Sequence, residues 1–361
     1  MKKSIIFSVI AVVALLAVAC QPQVVTETKT VVETQIVEVE VEKEGAVTIG
    51  FGAPELSGGQ GQIMSSLVSH AEEKGWAVVT TNANFSAETQ ANQMEYFISL
   101  GVDAIVTVPV DSQAICASVA KAKEAGIPFY TIDRAPIGCE IDMVVQSDNY
   151  VAGKQAGEAM VELLTKKYGE AKGTVLELQG DLGQNVAQLR GGGFNDVLKA
   201  YPNITVISKP TEWSADKFSS NTLDVVGSQA IDGIYMHSDC VGTTVVLAAL
   251  EQLGKKFQAS DPNHIFITGV DGCAEALQAI RDGWTDEASG QPVSDFGIVV
   301  DWIDAKLTKG EDPAEGEVVK EGALWSPAMI KASDVGPMLN LGTAKVTVEN
   351  ADNPALWGNQ K

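Results

Sequence analysis

The chain has 361 residues, a formal net charge of −22 and an isoelectric point near 4.5. So acidic a balance excludes a nucleic-acid surface and argues against docking on anionic lipid headgroups. The length past the N-terminal segments is enough for two ordinary domains.

The chain begins with "MKK" and the apolar run "SIIFSVIAVVALLAVA", which is too short for a membrane span, and Cys20 follows the small residue Ala19. This reads as a bacterial lipoprotein signal over residues 1–20, with Cys20 as the lipidated first residue of the mature chain. An ordinary signal peptide with an incidental cysteine and an uncleaved anchor helix are the alternatives. Several acyl chains on one cysteine anchor stably where a single chain does not. Residues 21–45 alternate Val with Thr or Glu and contain no aromatic residue. Such alternation can mimic an edge strand, but with so little to bury an extended, self-repelling tether is favoured. At full extension it reaches roughly 80 Å.

From Ala46 the pattern repeats: a Val/Ile-rich run, a polar or glycine turn, then an amphipathic stretch of helical period. The predicted strands are "AVTIGFGA", "WAVVTTNA", "DAIVTVPV", "IPFYTID" and "MVVQSD". Predicted helices between them include "IMSSLVSHAEEKG" and "AICASVAKAKEAG", the latter stopped by Gly126 and Pro128. After the long helix "NYVAGKQAGEAMVELLTKKYG" a second set follows: "GTVLELQG", "ITVISKP", "DGIYMHSD" and "HIFITGVDG". Non-alternating strands interleaved with helices predict parallel sheets covered on both faces. The fold class is therefore α/β, with two doubly wound, Rossmann-like lobes.

In open sheets of this kind ligands bind beyond the carboxyl ends of the strands. Those positions hold Asp133, Arg134, Ser238 and Asp271, with Arg190 and Gln291 nearby. No metal site is expected, because His70, His237 and His264 are scattered. The nucleophile elbow and the P-loop are absent. Acid–base work by Asp133 and Asp271 would need a nucleophile or cofactor fingerprint beside it, so no enzyme and no cofactor are expected. "SGGQGQ" at 57–62 could cradle an anion, but it lacks the full glycine spacing and reads better as a turn or a close ligand approach. The glycines of "RGGGF" at 190–194 read as packing sites.

The ordered set "DR" after the fourth strand, "QSDNYVAGKQAG", "LELQG…RGGGF", "EWSAD", "SD" before a helix and "GVDG" resembles the ribose- and galactose-type periplasmic sugar-binding proteins. The resemblance covers nearly all of residues 46–333. It implies two lobes joined by a three-segment hinge, with a monosaccharide held in the cleft and delivered to an ABC permease or a chemoreceptor. On that pattern residues 46–147 plus 292–321 form the N-terminal lobe and 148–291 plus 322–345 the C-terminal lobe. The tail, 346–361, is polar and rich in turn residues with Trp357 as a lone anchor, so it is expected to run over the surface; a lid over the cleft is the alternative. The resemblance puts Ser57, Gln60, Asp133, Arg134, Arg190, Trp213, Ser238, Asp271 and Gln291 at the ligand, with Trp213 packing on the sugar ring; a core tryptophan is the alternative. A carboxylate and a guanidinium can grip neighbouring hydroxyls with charge-assisted bonds.

The chain departs from the family in three places. Gly59 and Gln60 stand near the ribose-type aromatic pair, Ser238 replaces the usual Asn, and Val270 replaces an aromatic. A wider or more polar pocket follows, for a pentose, hexose or polyol. The expected partners are such a neutral ligand and the permease's transmembrane subunits. A monomer is expected, lipid-anchored on the extracytoplasmic face; a sensing receptor for a chemoreceptor or sensor kinase, or binding of a non-sugar small polar ligand, is the alternative. Past Cys20 four cysteines remain, which allow three pairings. Cys116 to Cys139 and Cys240 to Cys273, one bond per lobe, are expected, with free buried thiols as the alternative.

Overall fold

The computed structural model describes residues 47–360 and the backbone of Ile36 and Val37. Cys20 and the signal segment lie outside the described residues.

In chain order the first half comprises β1 (Ile36–Val37), β2 (Thr48–Ala53), α1 (Gly58–Glu73), β3 (Ala77–Asn82), α2 (Ala87–Leu100), β4 (Ala104–Thr107), α3 (Ile115–Glu124), β5 (Phe129–Ile132) and β6 (Met143–Ser147). The second half comprises α4 (Asn149–Tyr168), β7 (Gly173–Gln179), α5 (Asn185–Leu198), β8 (Ile204–Pro210), α6 (Ala215–Ser228), β9 (Gly233–Met236), α7 (Asp239–Gln252), β10 (Phe266–Asp271), α8 (Ala274–Arg281) and β11 (Glu287–Gly290). A 3₁₀ turn at Val293–Ile298 leads into α9 (Val299–Lys309), followed by β12 (Gly316–Val318), β13 (Ala328–Lys331), β14 (Met338–Leu341) and β15 (Ala344–Val346).

Two sheets result. The first runs β1-β3-β2-β4-β5-β6-β14-β13-β12 and the second β15-β11-β10-β9-β7-β8. Strands β2 to β6 and β7 to β11 pair in parallel, as doubly wound lobes require. Both sheets are covered on both faces, which the sequence announces as unbroken apolar runs. On β9, Ile234 and Met236 enter one apolar cluster with Phe218 and Leu250, while Tyr235 enters another with Phe194 and Met160. Helix ends follow local chemistry: the Ser86 side chain accepts the Thr89 N–H at 3.1 Å, and Gly101 closes α2 in the left-handed region at φ 68°.

The chain crosses between the sheets after Ser147, after Gly290 and after Leu341. The third crossing corrects the expected boundary, because residues 322–341 do not belong to the C-terminal lobe. β13 and β14 extend the first sheet, with β14 parallel to β6 in the register Leu339 opposite Val145. These are four-residue strands with few β-branched residues, and nothing local to them chooses a sheet. Ile36 and Val37 also differ from a free tether: their backbone pairs antiparallel with Thr81 and Thr80 of β3.

Two helices meet closely where the glycines fall. A Cβ on Gly153 of α4 would lie 2.0 Å from the Arg190 carbonyl, and one on Gly193 of α5 would lie 2.1 Å from the Tyr150 carbonyl. Glycine at both positions lets the helix backbones touch, which sets the position of Arg190.

Candidate ligand-binding cleft

The carboxyl ends of both sheets face one cleft. On the first lobe the chain leaves β5 directly into Asp133 and Arg134, both buried. Asp133 has φ 65°, a conformation that L-residues adopt only where the surroundings impose it. Its carboxylate accepts Gln60 Nε2–H at 3.0 Å and stands 3.6 Å from Arg134 Nε. Arg134 Nη1 donates to the Pro109 carbonyl at 3.0 Å. Burial pulls the Arg134 pKa down and the Asp133 charge opposes it; a guanidinium keeps its proton regardless.

On the second lobe Arg190 projects from the first turns of α5. Its Nη1 pairs with Asp271 Oδ1 at 3.0 Å and also donates to the His237 carbonyl, while Nε donates to Asn149 Oδ1 at 2.8 Å. Asp271, at the end of β10 with φ 123°, also accepts the Ser238 hydroxyl. Burial pushes the Asp271 carboxyl up, against the pull of Arg190 and Ser238. Gln291, at a hinge crossing, accepts from the Ser147 hydroxyl at 3.1 Å and donates to Asn149 Oδ1 at 3.1 Å. Trp213, with φ 58°, donates from Nε1 to Gln184 Oε1 at 2.7 Å, and its ring centre lies 5.7 Å from the Arg190 guanidinium carbon.

The lobes touch across the cleft. Gln184 Nε2 donates to the Val110 carbonyl at 2.9 Å, and the Ala135 N–H donates to Asn185 Oδ1 at 3.0 Å. The cavity between them measures about 130 Å³, room for one small molecule. Gln60, Asp133, Arg134, Arg190, Trp213, Ser238, Asp271 and Gln291 all line it. Ser57 does not: it precedes α1, and its exposed hydroxyl donates to Oε2 of Glu55, which lines the cavity, at 2.9 Å. Phe85, Cys240 and Trp357 also reach the cavity, and the sequence reading did not place them there. Phe85 carries a positive φ of 57°, a conformation that the sequence does not show.

Cys116 and Cys139 form a disulfide that ties α3 to the loop after Asp133. The bond expected between Cys240 and Cys273 is not formed, and both are free thiols. Their sulfurs and the Asp239 carboxylate lie within 4.8 Å of one another. Burial pushes the Cys240 thiol well up, which disfavours the thiolate that oxidation needs.

A family model described as a periplasmic binding protein domain matches residues 60–312. The chain belongs to the periplasmic binding protein family. A curated relative, the xylitol-binding protein of Mycolicibacterium smegmatis, is 34% identical over 251 residues, which are 68% of this chain and 67% of that one. A solute-binding protein from Mycobacterium smegmatis, solved with bound glycerol, shares 25% identity at a TM-score of 0.72, covering 85% of this chain and 96% of that one. The arabinose-transporter binding component of Shewanella sp. ANA-3, solved with L-arabinofuranose, superposes at 0.73 with 24% identity, covering 87% and 96%. As a periplasmic binding protein the chain is a solute binder and not an enzyme; its relatives are named as sugar- or polyol-binding proteins, some of them as components of ABC transporters.

Proposed function

We propose that this chain captures a neutral monosaccharide or polyol at the extracytoplasmic face of a bacterial membrane, held there by lipid on Cys20, and hands it to an ABC permease. One observation carries the ligand class. Two guanidiniums, Arg134 and Arg190, converge on one small cavity with the carboxylates of Asp133 and Asp271, and Glu55 adds a third acidic side chain to the lining. A mixed set of acceptors and donors suits hydroxyls, each of which both donates and accepts; an anion would be opposed by the carboxylates. Gln60 Oε1 and Arg134 Nε are buried and have no hydrogen-bond partner among the described residues, an acceptor and a donor available to ligand hydroxyls. The xylitol, glycerol and arabinofuranose of the relatives' names share this chemistry.

Capture works by closure. A ligand bonded to Asp133 on one lobe and Arg190 on the other favours the closed arrangement by its differential affinity, and the permease would read that form. Titration calorimetry tests the assignment: Asp133→Ala should weaken the best sugar or polyol roughly 100-fold by leaving Gln60 and Arg134 unpaired. Unchanged affinity would remove Asp133 from the site.

A further inference from the structure

The C-terminal tail was expected to run over the surface, yet its tryptophan lines the ligand cavity. The tail is fixed to the second lobe along its length. After β15 pairs with β11, Ala351 and Leu356 are buried in one apolar cluster with Leu277, Ile280 and Val346. Arg281 Nη1 donates to the Ala351 carbonyl at 3.1 Å, and Asn359 Nδ2 donates to the same carbonyl at 2.8 Å. Gly358 lies so close to the turn after β10 that a Cβ there would meet the Gly272 carbonyl at 2.5 Å.

This seating aims Trp357. Its Nε1–H donates to the backbone carbonyl of Asp271 at 2.7 Å, on the residue whose side chain holds Arg190. The indole itself packs on the apolar core of the first lobe. Its Cη2 atom would stand 3.9 Å from a Cβ at Gly59, where α1 presents no side chain to the cleft. Trp357 therefore spans both lobes beside the ligand cavity.

We propose that Trp357 is a specificity-determining wall of the binding site and a bridge that favours lobe closure. Its rigid indole, held at the nitrogen, supplies apolar surface for the C–H groups of a sugar or polyol on the side that Gly59 leaves bare. Because the tail is already ordered on one lobe, little freedom is lost when the indole meets the other. The role as a wall rests on the function proposed above; the bridging role does not.

Two readouts separate them. Titration calorimetry with D-ribose, D-galactose and xylitol compares the wild type with Trp357→Ala and Trp357→Phe. The ligand bound best should weaken at least tenfold in W357A and return to within about threefold in W357F. Equal binding by W357A overturns the wall. Small-angle scattering without ligand reads the bridge: W357A should have a larger radius of gyration than the wild type, and an unchanged radius overturns it. Should the wild type bind none of the three, the comparison is made with the neutral sugar or polyol that it does bind; if it binds none, the neutral-ligand reading fails, and the scattering result still decides the role of the tail. The melting temperature of W357F shows whether the fold tolerates the change. Should W357A not fold, 5-fluorotryptophan NMR reads the wild type directly. The resonance missing from W357F should shift on saturation with ligand, and a resonance that stays put overturns the wall.

Discussion

Arg190 and Asp271 form an ion pair within the second lobe, with 3.0 Å between Nη1 and Oδ1, the guanidinium buried and the carboxylate partly so. The same guanidinium reaches Asn149 and the His237 carbonyl, so one planar side chain fixes three elements at the base of the cleft. Arg190→Lys should therefore fail nearly as badly as Arg190→Ala, because an ammonium cannot make that fork. Removing one partner of such a pair costs about 2–5 kcal/mol. Calorimetry should show a loss of binding in both variants, and a lysine variant that binds like the wild type would contradict the geometry.

Gly153→Ala should disturb the site without touching it. The added methyl collides with the Arg190 carbonyl, which is backbone and cannot swing aside. Overpacking of this kind costs about 1–3 kcal/mol. A lowered melting temperature together with weakened ligand binding is expected, whereas Gly192→Ala, whose Cβ would meet its nearest neighbour only at 4.0 Å, should leave both near wild type.

The Cys116–Cys139 bond closes a loop with a sequence separation of 23 that includes Asp133 and Arg134. On the chain-entropy account such a bond contributes about 3 kcal/mol. The double Cys→Ser variant should unfold at lower denaturant concentration, read by tryptophan fluorescence, and a reductant should have little further effect on it.

Much of this molecule was legible in its sequence because the physics is local. Unbroken apolar runs between amphipathic helices show two covered parallel sheets, and the strand ends then point to Asp133, Arg134, Ser238 and Asp271. Residues set by distant packing were not legible. Nothing near Met338 says that β14 joins β6, and nothing near Trp357 says that its indole reaches the first lobe. Ser57 is exposed and does not line the cavity, and a serine before a helix looks the same in the sequence whether or not it reaches a ligand. Cys240 and Cys273 were rightly put side by side, but adjacency does not decide their bonding.

The burial of Glu287 predicts a pH dependence of stability with a definite sign. It is buried on β11, where Ser289 donates to one oxygen at 3.1 Å, and burial pushes its pKa from 4.5 up to about 8. Between those values the folded state holds a proton that the unfolded chain has released, so stability falls as pH rises through the window. Glu287→Gln should melt higher than the wild type near pH 8, with the difference shrinking toward pH 5. A difference that is constant across this range would rule out the titration of Glu287 as its source.

The central claim is that the cleft, lined by carboxylates and guanidiniums together, holds a small neutral polyhydroxyl ligand. Titration calorimetry of the purified domain against pentoses, hexoses, polyols, amino acids and sugar phosphates tests it most directly. The account predicts saturable one-to-one binding of at least one neutral sugar or polyol, lost in Arg190→Ala. Binding only of amino acids or phosphorylated compounds would contradict it.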